Sequence, residues 1–142
     1  MIVLDTTVLA YAVGGEHRLA PPCRSLIEAI TAGSVSATTT VEVIQEFVSV
    51  RARRRSRRDA VRIGRDYAAL LAPLLTVDER DLERGLGLFD RHEALGSFDA
   101  VLAAAALRHE AEALVSADRA FGDVRSLRHI DPATPALEAL LS

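Results

Sequence analysis

Short apolar runs alternate with longer amphipathic stretches along all 142 residues, and this alternation dictates the architecture. IVL (2–4), SVSAT (34–38), LLTV (74–77), ALVSAD (113–118) and SLRHI (126–130) have the branched or alternating character of short strands. The stretches between them have helical punctuation. TVLAYAVGG (7–15) is a short helix ended by Gly14 and Gly15, and Pro21-Pro22 opens a helix that stops at Gly33. Thr38 to Thr40 cap a longer helix that runs into the arginines, with Val41, Ile44 and Val48 on one face. Asp59 to Ala72 is another helix, stopped by Pro73, and 78–92 follows with acids in its first turn. In SFDAVLAAAALRHE (97–110), Ser97 is the expected cap, and Phe98, Val101, Leu102 and Ala105 fall at core spacing. Strands alternating with helices predict an α/β fold of three layers, with a central, mainly parallel sheet covered on both faces.

An apolar content of 49% is ample for one core, and no linker, repeat or low-complexity tract divides the chain, so a single domain over 1–142 is expected. No apolar run approaches the ~18 residues that suggest a membrane span. The N-terminus lacks the pattern of an export signal, which predicts a cytoplasmic protein with no membrane partner. Cys23 is the one cysteine, which excludes an intrachain disulfide and a cysteine-based metal site.

Four acids occupy similar places. Asp5 follows the first strand, Asp118 follows ALVSA, and Glu42 and Asp99 lie in the first turns of helices. In open α/β sheets, ligands bind in the crevice beyond the carboxyl ends of the strands, where these acids can meet. Clustered carboxylates repel one another unless a cation intervenes, and hard oxygen donors suit magnesium or manganese. Such ions polarise phosphodiesters and acidify an attacking water. Each acid also has an ordinary reading: Asp5 as a helix cap, Glu42 in a capping box with Thr39, Asp99 as a dipole partner, Asp118 as the cap of a short AFGD turn.

Taken together, LDTTVL at the start, Glu42 after a TTT cap, and the pair FDAVLAAA and LVSADRAF resemble the PIN-domain family over nearly the whole chain. The closest group is the VapC toxins of bacterial toxin–antitoxin pairs. The resemblance implies a metal-dependent ribonuclease, usually dimeric and held inactive by an antitoxin. It implies that Asp5, Glu42, Asp99 and Asp118 are the catalytic, metal-binding acids, served by Mg2+ or Mn2+. Thr6, Thr7 and Ser116 would support those ligands or orient a water.

Charge adds a further clue. All 17 basic residues are arginine, and six lie in RARRRSRR (51–58). Setting those six aside leaves 11 arginines against 20 acids, so the cluster is basic on an acidic body. Arg51, Arg53, Arg54, Arg55, Arg57 and Arg58 are candidates for contact with RNA phosphates or with the antitoxin, or form a solvated helix end. The four histidines show no metal-ligand spacing, and few aromatic residues argue against extensive base stacking. A phosphatase of the haloacid-dehalogenase type needs a second aspartate two positions after the first, where this chain has Thr7. A PIN-like module that only docks a partner is the remaining alternative; the four acids favour catalysis.

Overall fold

The computed structural model describes residues 1–142. Strand β1 (Ile2–Leu4) leads into α1 (Thr6–Val13) and α2 (Ala20–Thr31), then β2 (Ala37–Thr38). Four helices follow: α3 (Val41–Arg54), α4 (Arg57–Leu70), α5 (Glu79–Arg91) and α6 (Ser97–Arg108). β3 (Ala113–Val115), a 3-10 turn (Arg119–Asp123), β4 (His129–Ile130) and α7 (Pro135–Leu141) complete the chain. The sheet has the order β2-β1-β3-β4 and every pair is parallel, with Ile2 opposite Ala37 and Ala113, and Val115 opposite Ile130. Helices cover both faces, as the alternation predicts.

The two central strands are wholly buried, which is why their sequences are unbroken apolar runs rather than alternating ones. Helix α6 packs on β3, and its alanines are the reason it sits close: Ala100 and Ala103 to Ala106 are all buried. α5 pairs with α6 and α3 with α4, each through a glycine. A Cβ on Gly85 would stand 2.8 Å from the Val101 Cα, and one on Gly64 2.6 Å from the Val48 Cγ2. Polar ties lock helix to helix. The Tyr67 hydroxyl donates to the Leu9 carbonyl at 2.9 Å, and the Arg108 guanidinium grips both oxygens of buried Asp81 at 2.7 and 2.9 Å.

Several local expectations need correction. LLTV makes a single bridge, Leu75 to Thr40, because Pro73 brings no N–H and only one ladder bond forms, Leu75 N–H to the Thr39 carbonyl. The edge segments SVSAT and SLRHI each shrink to two strand residues. Thr40, not Thr39, caps α3 by accepting from the Val43 N–H, and Thr39 donates instead to the Leu4 carbonyl at 2.6 Å. No Thr39–Glu42 capping box therefore forms. The buried side of α3 is Val43 and Phe47, with Ile44 and Val48 half-buried, whereas Val41 is 57% exposed. Gly96 takes the cap position of α6, and Ser97 is its first helical residue. Helix α7 was not anticipated, although Thr134-Pro135 is a legible start.

Candidate active site

The carboxyl edge of the sheet is built from polar residues, and two strand ends are sewn together there by hydroxyls. Asp5, next after β1, is 3% exposed, and its backbone N–H donates to the Val115 carbonyl at 3.0 Å. Its Oδ2 accepts from the Ser116 hydroxyl at 2.6 Å and from the Thr7 hydroxyl at 3.2 Å. Each hydroxyl also accepts from the far side: Ser116 from the Asp118 N–H, and Thr7 from the Ala117 N–H, both at 3.0 Å. The turn after β3 and the start of α1 thus share one network, which fixes the direction of the Asp5 carboxylate. His129 on β4 adds a contact of 2.8 Å from Nε2 to the Ser116 carbonyl.

Asp99 joins from the first turn of α6. Burial, then the charges of Asp5, Asp118 and Glu46, push its carboxyl up to about 7, and a hydrogen bond to Asp118 adds to the rise. Burial likewise raises the Asp5 carboxyl, against the opposing pull of its Ser116 bond. Asp118 serves in addition as the cap of the 3-10 turn, accepting from the Ala120 N–H at 3.0 Å. None of these acids has an ion-pair partner among the seven salt bridges of the fold.

Glu42 stands at the start of α3, at the rim of an apolar groove with Val77, Leu82, Phe98 and Val101. Its Oε1 is shut off from solvent and bonded to nothing, as is the Oγ1 of Thr6 beside Asp5. Glu46, one turn beyond Glu42, was not singled out among the sequence candidates, yet its charge reaches both Asp5 and Asp99. The signal was present in the polar stripe Glu42–Glu46 along α3.

The arginine run lies elsewhere. Glu42 opens α3 and Arg53 nearly closes it, a separation of roughly 17 Å at the helical rise per residue. Arg55 and Ser56 turn the corner, with Ser56 capping α4. Arg51 points inward: Nε meets Asp59 Oδ2 at 2.6 Å and Nη1 donates to the Val13 carbonyl at 3.1 Å. Arg53, Arg54, Arg55, Arg57 and Arg58 are exposed at this hairpin tip, not beside the acids.

The donor set suits a hard divalent cation on chemical grounds: clustered carboxylates, all lacking a cation, with two buried oxygens left unbonded. In the protein alone no three of its acid, histidine or cysteine side chains converge to metal-binding distances.

These features define a class: a three-layer α/β domain with neighbouring carboxylates at the carboxyl edge of a parallel sheet. Residues 2–127 match the PIN domain. Ribonuclease VapC7 of Mycobacterium tuberculosis (strain H37Rv) is 50% identical over 145 residues, covering 99% of this chain and 98% of its own length. Ribonuclease VapC13 of the same strain is 26% identical over 135 residues, covering 92% and 99%. Among solved structures, M. tuberculosis VapC20, described as a Sarcin-Ricin loop cleaving toxin, superimposes with a TM-score of 0.71 at 16% identity, over 90% of this chain and 99% of that one. The chain belongs to the PIN-domain family, in its VapC-type group.

Proposed function

We propose that this protein is a magnesium- or manganese-dependent endoribonuclease and the toxin of a toxin–antitoxin pair, acting in the cytoplasm. The observation that carries the reading is that Asp99 lies near enough to Asp5 and Asp118, which come from two other segments, to feel both charges, while no arginine pairs with any of the three. The VapC ribonucleases to which the chain is similar support the substrate class.

Asp5, Asp99 and Asp118 would hold the metal, with Glu42 as the fourth acid. When bound, the metal supplies positive charge that polarises the phosphodiester and acidifies an attacking water. The protein's share is preorganisation. Ser116 and Thr7 hold Asp5 Oδ2 in place before substrate arrives, so its carboxylate needs no rearrangement during reaction. Asp99, whose proton is favoured by burial and by Asp5 and Asp118, would have to lose it to serve as a metal ligand, so metal affinity would rise with pH.

Two partners complete the proposal. A homodimer is supported by the apolar stripe on α5, where Leu82, Leu86 and Phe89 are each about half exposed. A cognate antitoxin is supported by the family. No helix is long and apolar enough to cross a membrane.

The test is cleavage of total cellular RNA by antitoxin-free protein with magnesium, manganese or EDTA, beside Asp99→Asn. Metal-dependent fragments that fall by at least about a hundred-fold in the variant are expected. Equal cleavage by a folded Asp99→Asn protein would sink the assignment. Absence of cleavage with every metal and RNA source would favour a module that docks its partner without catalysis.

A further inference from the structure

The proposed substrate is a polyanion, yet the pocket that must receive it is acidic, and the main arginine cluster lies at the far end of α3. A cation nearer the acids is therefore required, and strand order shows where to look. Along the carboxyl edge the chain presents Thr39 after β2, Asp5 after β1, Ser116 to Asp118 after β3, and Asp131 after β4. Neighbouring positions are separated by about 4.8 Å, the spacing of paired strands. On the β2 side, α3 contributes Glu42 and Glu46, so that flank is negative.

The β4 side differs. Arg119 directly follows Asp118 and opens the 3-10 turn. Its side chain is 86% exposed, and its one ionic neighbour is Asp131, with Nε 3.8 Å from Oδ2. That distance is too long for a hydrogen bond, so the guanidinium has no acceptor and stands in solvent near the end of β4. Asp131 is itself engaged, its Oδ1 accepting from the Ala133 N–H at 2.9 Å. Beyond Asp131, a groove between α2 and α7 carries a second exposed cation, Arg18, alongside Pro132 and Thr134.

We propose that Arg119 is a substrate-binding residue that grips the RNA phosphate next to the scissile one, so that the strand crosses the acid pocket and leaves over β4. The inference rests on the ribonuclease reading. A planar guanidinium on the residue next to Asp118 can take a phosphate bidentately while the acids and their cation engage its neighbour. The hairpin arginines are too distant to make that contact.

The experiment is binding of a mixed-sequence single-stranded oligoribonucleotide to Asp99→Asn protein over a salt series, with Arg119→Gln, Arg119→Lys and, as control, Arg65→Gln added in that background. Arg65 is exposed on α4. Arg119→Gln is expected to bind about ten-fold more weakly at low salt, the loss typical of one charge-assisted contact. The slope of log affinity against log salt should shrink by about 0.7, one phosphate's share for a single strand. Arg119→Lys should retain the slope but lose part of the affinity, and Arg65→Gln should match the parent. Unchanged slope and affinity in Arg119→Gln would overturn the inference, as would an equal loss in Arg65→Gln. An Asp99→Asn parent that binds no RNA at low salt would overturn both this inference and the ribonuclease reading beneath it.

Discussion

Asp99 is the side chain in which the cost of the site is most visible. Burial and neighbouring acids hold its carboxyl at about 7, above the ordinary 3.8, so the folded protein binds this proton more tightly than the unfolded chain does. The stabilisation linked to it is complete below pH 3.8 and is lost as pH rises through about 7. In EDTA, the melting temperature of the wild type relative to Asp99→Asn should therefore fall between pH 5 and pH 8, leaving the variant the more stable at pH 8. Magnesium should restore the wild type at pH 8 and do little for the variant. Parallel melting curves for the two proteins across this range would refute the coupling. Asp5, Asp99 and Asp118 were legible as sequence because each stands at a strand end or helix start beside hydroxyls or small residues. Glu46 was legible only as part of the polar stripe with Glu42, since nothing in a helical sequence says how far around its axis the neighbouring elements reach. Arg51 was read with the other arginines because its bond to Asp59 spans two helices and has no local mark.

Helices and central strands were legible for a different reason: caps, prolines and apolar spacing act locally. The edge strands were legible in place but not in extent, because β2 and β4 are two residues long and their limits are set by pairing with β1 and β3 rather than by their own pattern. Helix pairing is likewise decided by close approach, which sequence shows as isolated glycines. Gly85 and Gly64 separate two cases. A methyl on Gly85 meets the Val101 Cα and N at 2.8 and 3.0 Å, backbone atoms that move only if α5 and α6 part. A methyl on Gly64 meets a single half-buried side-chain methyl of Val48. Overpacking costs about 1–3 kcal/mol and the gain in helix propensity returns about 1 kcal/mol. Gly85→Ala should then destabilise by about 2 kcal/mol, whereas Gly64→Ala should stay within about 1 kcal/mol of the wild type. Urea midpoints measure both, and equal shifts would refute the distinction between backbone and side-chain contact.

At the scale of the molecule, the remaining question is how its apolar surface is covered. Leu82, Leu86 and Phe89 recur at four- and three-residue steps on α5, which places them on one face, and they are 50%, 48% and 47% exposed. The groove beside Leu82 and Leu86 continues through Phe98 and Val101 to Glu42, so this surface runs up to the rim of the acid pocket. Gly85, on the flank of α5 next to the stripe, is buried against α6, hence the helix cannot rotate to hide the stripe without breaking that packing. A contiguous apolar patch of this kind marks an association site, and a stable one buries about 800 Å² on each partner. If the partner is a second copy, the same stripe meets itself across a twofold axis and Leu86 contacts apolar residues from both chains. Leu86→Glu then sets two charges in a dry interface, an arrangement the dimer cannot tolerate. Sedimentation of antitoxin-free protein at micromolar concentration should give a dimer for the wild type and a monomer for Leu86→Glu, with the variant's melting temperature little changed because the side chain is exposed in the single chain. A dimer that survives Leu86→Glu would place the interface elsewhere. A wild type that sediments as a monomer would leave the α5 stripe to the antitoxin, and the same substitution should then abolish antitoxin binding instead.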